Sequence, residues 1–229
     1  MSKKTLSVIG VIILLFVLQN CAQKPEEGIL KKYFHAVSLK DVQTMSSMAL
    51  EPITLDVVSW KIVNVREEKV EPAVLPELNQ REQESKKALE GHVGPTVEAD
   101  DALYAAKEKL SSARTRAARS AAQREVDAAQ AKFDEEREIH RQLQKTYNEA
   151  KAEAAREEDI SSFSIGPGEF PNIRDMEGNV QSKEVEVEIE IKAGLKKYNF
   201  CLRRYTLRDE SIGRDYRGRW IIVSSELIS

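Results

Sequence analysis

The sequence predicts an α+β protein: an N-terminal helix packed on a curved antiparallel sheet, interrupted by a long α-helical coiled-coil hairpin insertion. Three observations carry this prediction. Leu30, Tyr33, Phe34 and Val37 recur at helical spacing. Val185, Val187, Ile189 and Ile191 alternate with Glu184, Glu186, Glu188 and Glu190, the period of a half-buried strand. Between them, residues 99–155 hold 16 alanines among Glu, Lys, Arg and Gln, and no glycine or proline falls between Thr96 and Ile165. These are the strongest helix formers, and nothing in that stretch breaks a helix.

In chain order, four regions emerge: 1–21, 26–70, 71–160 and 161–229. The first opens with "MSKK" and continues as "TLSVIGVIILLFVL", 14 largely apolar residues. That length suits the apolar stretch of a signal peptide and is short for a spanning helix of about 20 residues. The following "LQNC" resembles the lipobox of bacterial lipoproteins, in which a cysteine is lipid-modified after cleavage. Leu18 matches that pattern, Gln19 and Asn20 depart from its small residues, and Cys21 stands at the modified position. Cleavage and lipidation at Cys21, or retention as an uncleaved signal anchor, are the two expectations. Both place the remainder outside the cytoplasm, because Lys3 and Lys4 stay inside. The expected location is the bacterial cell envelope, membrane-anchored and facing the periplasm or exterior.

In the second region the helical spacing resumes at Val42, Met45, Met48 and Ala49, with an interruption near Ser38 to Asp41, where Asp41 is suited to cap a helix beginning at Val42. Glu51–Pro52 ends it. "ITLDVVSWKIVNVREE" has apolar residues on both alternating sets, which predicts a strand buried well on one side and partly on the other.

In the third region, Leu103, Ala106, Leu110, Ala113 and Ala117 form one seam of three- and four-residue steps. Val126, Ala129, Phe133, His140, Leu143, Tyr147, Ala150 and Ala154 form a second, with Glu136 as an interruption. The two are out of phase by two residues near Ser120. One continuous helix over 97–158 would extend about 90 Å. An antiparallel arm turning between Ser111 and Gln123 brings the chain back to its starting point, with Gly91 to Pro95 as a kink or break in the outgoing leg. The turn region itself lacks glycine and proline.

The fourth region predicts a short strand around Phe163, a glycine- and proline-punctuated link, and then three strands in an antiparallel meander. "KKYNFCLRRYTLRDE" follows a turn near Ala193 to Lys196, and "RGRWIIVSSELI" follows a turn near Ile212 to Gly218.

With the arm removed, Tyr33, Phe34, Ala36 and Asp41 in the helix and Gly218, Trp220 and Ile222 in the closing strand resemble the NTF2-like, cystatin-like α+β fold, in particular its small exported lipoproteins. The resemblance spans 26–68 and 161–227. It implies a helix in the concave face of the sheet and a cone-shaped pocket, for which Tyr33, His35, Tyr198 and Tyr205 are the candidate lining residues. It does not imply a reaction, since the fold serves enzymes and non-enzymes alike. A second likeness is to periplasmic adaptor proteins of export pumps, which also set an α-hairpin between β segments. The paired glycine-rich half-motifs of a lipoyl domain are missing here.

The function classes narrow accordingly. A formal charge of −3, from 35 basic and 38 acidic residues well mixed, offers no global field for nucleic acid. His35, His92 and His140 lack partners at metal-ligand spacing, so neither metal nor cofactor is expected. Cys201, between Phe200 and Leu202, reads as a small buried thiol. No catalytic residue is assigned, although His35 and Asp41, with Tyr198 or Tyr205 as donors, are the nearest acid–base candidates. The expectation is a non-catalytic, membrane-anchored scaffold or binding module that meets a protein partner, or itself, through the arm. The alternatives are a small-ligand-binding or enzymatic pocket and an adaptor-like component of an export complex.

Overall fold

The computed structural model describes residues 24–168, 170 and 172–228. The apolar stretch, the lipobox-like residues and Cys21 lie outside the described residues.

Helix α1, Pro25–Leu39, begins with proline where no N–H partner is needed and carries Glu26 and Glu27 in its first turn, where the helix dipole favours acids. It stops at Lys40, whose φ of 55° is left-handed. Asp41 then caps the short helix α2, Val42–Ser46, accepting from the Thr44 amide at 3.1 Å and its hydroxyl at 2.6 Å. Those bonds hold the Asp41 carboxyl below its ordinary pKa.

Six antiparallel strands form one curled sheet. Its centre is the long pair β3, Glu177–Ile191, and β4, Gly194–Asp209, in unbroken register from Glu177 opposite Arg208 to Ile191 opposite Gly194. Strands β1, Val57–Val65, and β2, Lys69–Pro72, lie one after the other along the free edge of β3. Along the free edge of β4 lie β5, Arg214–Arg217, and β6, Ile221–Leu227. The meander's third member is therefore two short strands. The apolar residues on both sets of β1 also find their cause. Register shifts between Val57 and Ser59 and between Ile62 and Asn64 change the inward phase twice. Val57, Trp60, Ile62 and Val65 can thus all reach the core, while Val58 and Val63 stay exposed.

Two cores flank this sheet, on opposite faces. In the first, α1 packs Leu30, Tyr33, Phe34 and Val37 against Val185, Val187 and Ile189 of β3 and Tyr198, Phe200 and Leu202 of β4. In the second, Leu75, Ile160, Ile173 and Met176 meet Val180 of β3, Tyr205 and Leu207 of β4, and Ile221 and Val223 of β6. Successive side chains of a strand point to opposite faces. With no register shift between β3 and β4, the odd residues of β3 and the even residues of β4 serve the first core, and the opposite parities serve the second. Arg203 and Arg204 occupy the changeover. Arg204 covers Trp220 at 5.0 Å beside the first core, and Arg203 reaches toward Glu157 beside the second.

The helical region runs between β2 and β3. Helices α3, Leu75–Gly91, and α4, Val93–Ser112, run outward, and α5, Arg116–Ile165, runs back. Cross-links from Arg81 to Glu153, from His92 to Glu136 at 2.9 Å and from Lys109 to Glu125 at 2.6 Å fix the legs as antiparallel. The reversal at residues 113–115 lies within the span expected and needs no glycine. Ala113 and Thr115 are extended with negative φ, and Thr115 caps α5 by accepting from the Ala118 amide at 3.2 Å. The break between α3 and α4 falls at His92, within the expected Gly91 to Pro95, because proline has no N–H to donate back to Gly91.

Two expectations need correction. Phe163 is not in a strand: α5 continues to Ile165, since its last turn buries Ile160, Ser161 and Ser164, and the chain meets its breaker only at Gly166, φ 104°. Glu136 does not interrupt the return seam either. Ala122, Val126, Ala129, Phe133, Glu136, His140, Leu143, Tyr147, Ala150, Ala154 and Glu157 continue in alternating steps of four and three, all buried or half-buried. Glu136 stays buried there because His92 and Lys132 both reach it.

Candidate functional site

The arm's attachment begins with a gap in the sheet. Strand β5 pairs with residues 206–209 of β4 and β6 with 198–203, which leaves the backbone of Tyr205 without a strand partner on that edge. Ser164, in the last turn of α5, fills the gap. Its hydroxyl accepts from the Tyr205 amide at 3.1 Å and donates to the Arg219 carbonyl at 2.8 Å, while its own carbonyl accepts from the Arg219 amide at 2.8 Å. The Gly218 amide donates to the Tyr205 carbonyl at 2.7 Å. Only glycine fits there, since a Cβ on residue 218 would stand 2.4 Å from the Ser164 hydroxyl and 2.9 Å from its backbone.

Two turns earlier, Glu157 accepts from the Tyr205 hydroxyl at 2.6 Å and from Arg203 at 3.4 Å. Burial, followed by the adjacent carboxylate, pushes the Tyr205 phenol well above its ordinary pKa. Arg174 binds Glu82 of α3 and Glu158 of α5, each at 2.7 Å, and so ties both legs to the turn before β3. Asn79 donates to Asp175 at 2.8 Å. The arm and the second core are thus one hydrogen-bonded body at the base.

Outward from this base, the exposed side of α4 carries Val93, Val97 and Tyr104, which are 48%, 52% and 72% exposed. Spacings of four and seven put them on one stripe of the helix. The charge-rich pattern of the arm obscured this stripe, although the spacing itself was readable.

The four residues expected to line a pocket are dispersed. Tyr33 is fully buried in the first core, its hydroxyl accepting from the Ile53 amide at 2.8 Å, and burial raises its pKa. Tyr198 packs in the same core, tilted against Phe200. Tyr205 lies on the opposite face of the sheet. His35 is exposed on α1 and lines a cavity of about 720 Å³ between α1 and β1. The stacked rings of Phe34 and Trp60, 4.6 Å apart, form its wall, with Lys31, Lys32 and His35 around it. No described carboxylate lines that cavity, and Asp41 is engaged with Thr44, so His35 has no acid–base partner there.

Among the described residues, no group of three or more His, Cys, Asp or Glu is placed to hold a metal ion. Cys201 is a free, half-buried thiol whose pKa is raised by burial, with Arg203 acting in the other direction. It is thereby kept protonated rather than activated. The glutamates of β3 are cross-linked to cations: Glu188 to Lys61 at 2.5 Å and Lys197 at 3.5 Å, and Glu184 to Arg66 at 2.5 Å. None of the described helices is long and apolar enough to cross a membrane.

No family model, no curated protein and no solved structure matches the chain.

Proposed function

We propose that this chain is a non-catalytic scaffold or binding module of the bacterial cell envelope, held at the membrane by its first residues and presenting a partner surface on its helical arm. The observation that carries this reading is the continuity of α5, which runs without a break from the arm's tip into the second core and ends locked to β4 through Ser164. A partner held by the arm is thereby held in fixed geometry relative to the sheet. The stripe of Val93, Val97 and Tyr104 supplies the exposed apolar contact that a protein partner or a second copy would cover. Helix α1 laid over the first core supports an NTF2-like assignment for the sheet, with the arm as an insertion in it. The spacing of "LQNC" after the apolar stretch supports lipidation at Cys21.

The test places a photo-crosslinking residue at Val97 of the full chain in native membranes, with mass analysis of the N-terminal peptide for lipid. A discrete adduct that disappears with Val93→Asp and persists with His35→Ala supports the arm reading. Absence of any adduct along the stripe refutes it.

A second reading rests on the cavity beside α1. Its aromatic wall and three basic side chains suit a small anionic amphiphile. Ligand retention by the full chain that is lost with Trp60→Ala, and unaffected by changes in the arm, would favour that reading.

A further inference from the structure

We infer that the tip of the arm docks on an anionic lipid surface. Arg114 lies in the turn, and Arg116, Arg119 and Arg124 lie in the first turns of α5. Among the described residues none of these four has an ion-pair partner, whereas Lys109 just below is held by Glu125 at 2.6 Å. No Asp or Glu occurs between Lys109 and Arg124. Against a whole-chain formal charge of −3, the four arginines leave −7 for everything else. A cluster of positive charge with no acid interleaved thus stands at one end of a long arm.

Distance makes that cluster effective. From Ile160 in the second core to Arg116 is 44 residues of a single helix, about 66 Å at 1.5 Å per residue. Screening in physiological salt acts over about 8 Å, so the acids of the sheet and the arm's base do not reach the tip. Of the near ones, Glu125 is engaged by Lys109 at 2.6 Å and Asp127 accepts from Gln123 at 2.8 Å, which leaves Glu108 against four arginines.

The composition of the tip selects the partner. Between the arginines stand only Ala, Ser, Thr and Gln, and the four arginines with Thr115, Ser120 and Gln123 line an open hollow. A stable protein interface needs a buried apolar or aromatic centre, and this surface has none. Single-stranded nucleic acid needs aromatic faces for its bases to stack on, and there are none of those either. What remains is a blunt, cationic end with small side chains, which suits a flat sheet of laterally mobile phosphates. The headgroups of anionic phospholipids form such a sheet, and each arginine near it adds attraction independently. This inference does not depend on the anchor or on the apolar stripe of α4.

Flotation of the full chain with vesicles tests it. One set is phosphatidylcholine alone, and the other is about three parts phosphatidylcholine to one part phosphatidylglycerol. Lys3, Lys4 and the N-terminal apolar residues are common to the native chain and its variants, so the part of the gain that an arginine variant loses reports the tip. Four arginines at about 1 kcal/mol each should give the native chain a gain of up to about a thousandfold in partitioning, and the gain should vanish near 0.5 M salt. The variant Arg114→Gln, Arg116→Gln, Arg119→Gln, Arg124→Gln should lose most of that gain while its thermal unfolding stays unchanged, because among the described residues these side chains bind no partner. A control variant, Lys31→Gln with Lys32→Gln, should keep the gain. A quadruple variant that gains as much as the native chain, or a control that loses the gain equally, overturns the proposal. Indifference of the native chain to anionic vesicles, combined with arginine-dependent binding of a polyglutamate peptide, also overturns it and points to an acidic protein instead.

Discussion

Replacing Gly218 with alanine should disconnect the arm from the sheet. The new Cβ would stand 2.4 Å from the Ser164 hydroxyl and 2.9 Å from the Ser164 carbonyl carbon and oxygen. Rotating one flexible side chain cannot relieve that, because two of the three contacts are backbone. Either the β5–β6 connection or the last turn of α5 must move, and the bonds that Ser164 and Gly218 make to Tyr205 and Arg219 go with it. Overpacking costs about 1–3 kcal/mol, and the four lost hydrogen bonds add about 1 kcal/mol each, so Gly218→Ala should cost about 5–7 kcal/mol. Ser164→Ala instead leaves the Tyr205 amide and the Arg219 carbonyl without this partner, for about 2–4 kcal/mol. In the double variant the same bonds are lost only once and the hydroxyl clash is gone. Its cost should therefore fall short of the sum by about 1–3 kcal/mol. Urea unfolding of the full chain in mild detergent, followed by the fluorescence of Trp60 and Trp220, measures all three. Strict additivity, or a Gly218→Ala variant within about 0.5 kcal/mol of the native chain, would refute the lock.

Tyr205→Phe should cost about 1–3 kcal/mol in the same assay, because Glu157 keeps only the longer contact to Arg203. Glu26→Gln breaks the ion pair between a 3%-exposed carboxylate and Lys183 at 3.0 Å. Glu68 at 3.3 Å keeps Lys183 partly paired, so the loss should sit near the lower end of the ~3–5 kcal/mol typical of a broken buried pair. Glu136 has its carboxyl held below the usual range, first by Lys132 and also by His92. A depressed pKa gives stability that is present above the unfolded value and lost as pH falls through the folded one. Thermal melts followed by helical circular dichroism should therefore show a steeper acid limb for the native chain than for Glu136→Gln, and parallel limbs would contradict the seam pairing.

How much of this could be read from residues alone differs by element. The arm was legible because a two-helix seam repeats locally: the steps of three and four through Leu103, Ala106 and Leu110, and through Val126 to Ala154, need no distant information. The two-residue phase break between the seams marked the reversal, and the structure places it at residues 113–115. Glu136 was misread because polarity was weighed without its partner, and His92 lies 44 residues away on the other leg. Phe163 was misread for a similar reason, since what holds the last turn of α5 in helix is Ser164 bonding to residues 41 and 55 positions further on. Tyr205 parted from Tyr33 and Tyr198 because the fold resemblance implied one shared pocket, whereas strand parity along β4 puts Tyr198 and Tyr205 on different faces.

Strand β4 marks the division most sharply. Its apolar positions run Tyr198, Phe200, Leu202 and then Tyr205, Leu207, so the alternation slips by one residue at Arg203 and Arg204. The sequence by itself determines that slip, along with the helical arm, the antiparallel strands and the basic tip, because each is written in local spacing and charge. A slip has two physical outcomes: an extra residue bulging out so that one face stays inward, or an intact ladder whose buried face changes side. Only the tertiary structure decides between them. Here β3 slips as well, from Val180 to Val185, so both strands keep their pairing and neither needs a bulge against the other. One end of the ladder is then covered by α1 and the other, on the opposite face, by the base of the arm. That is why the arm belongs to a core of its own, since burial depends on which distant segment arrives to cover each face.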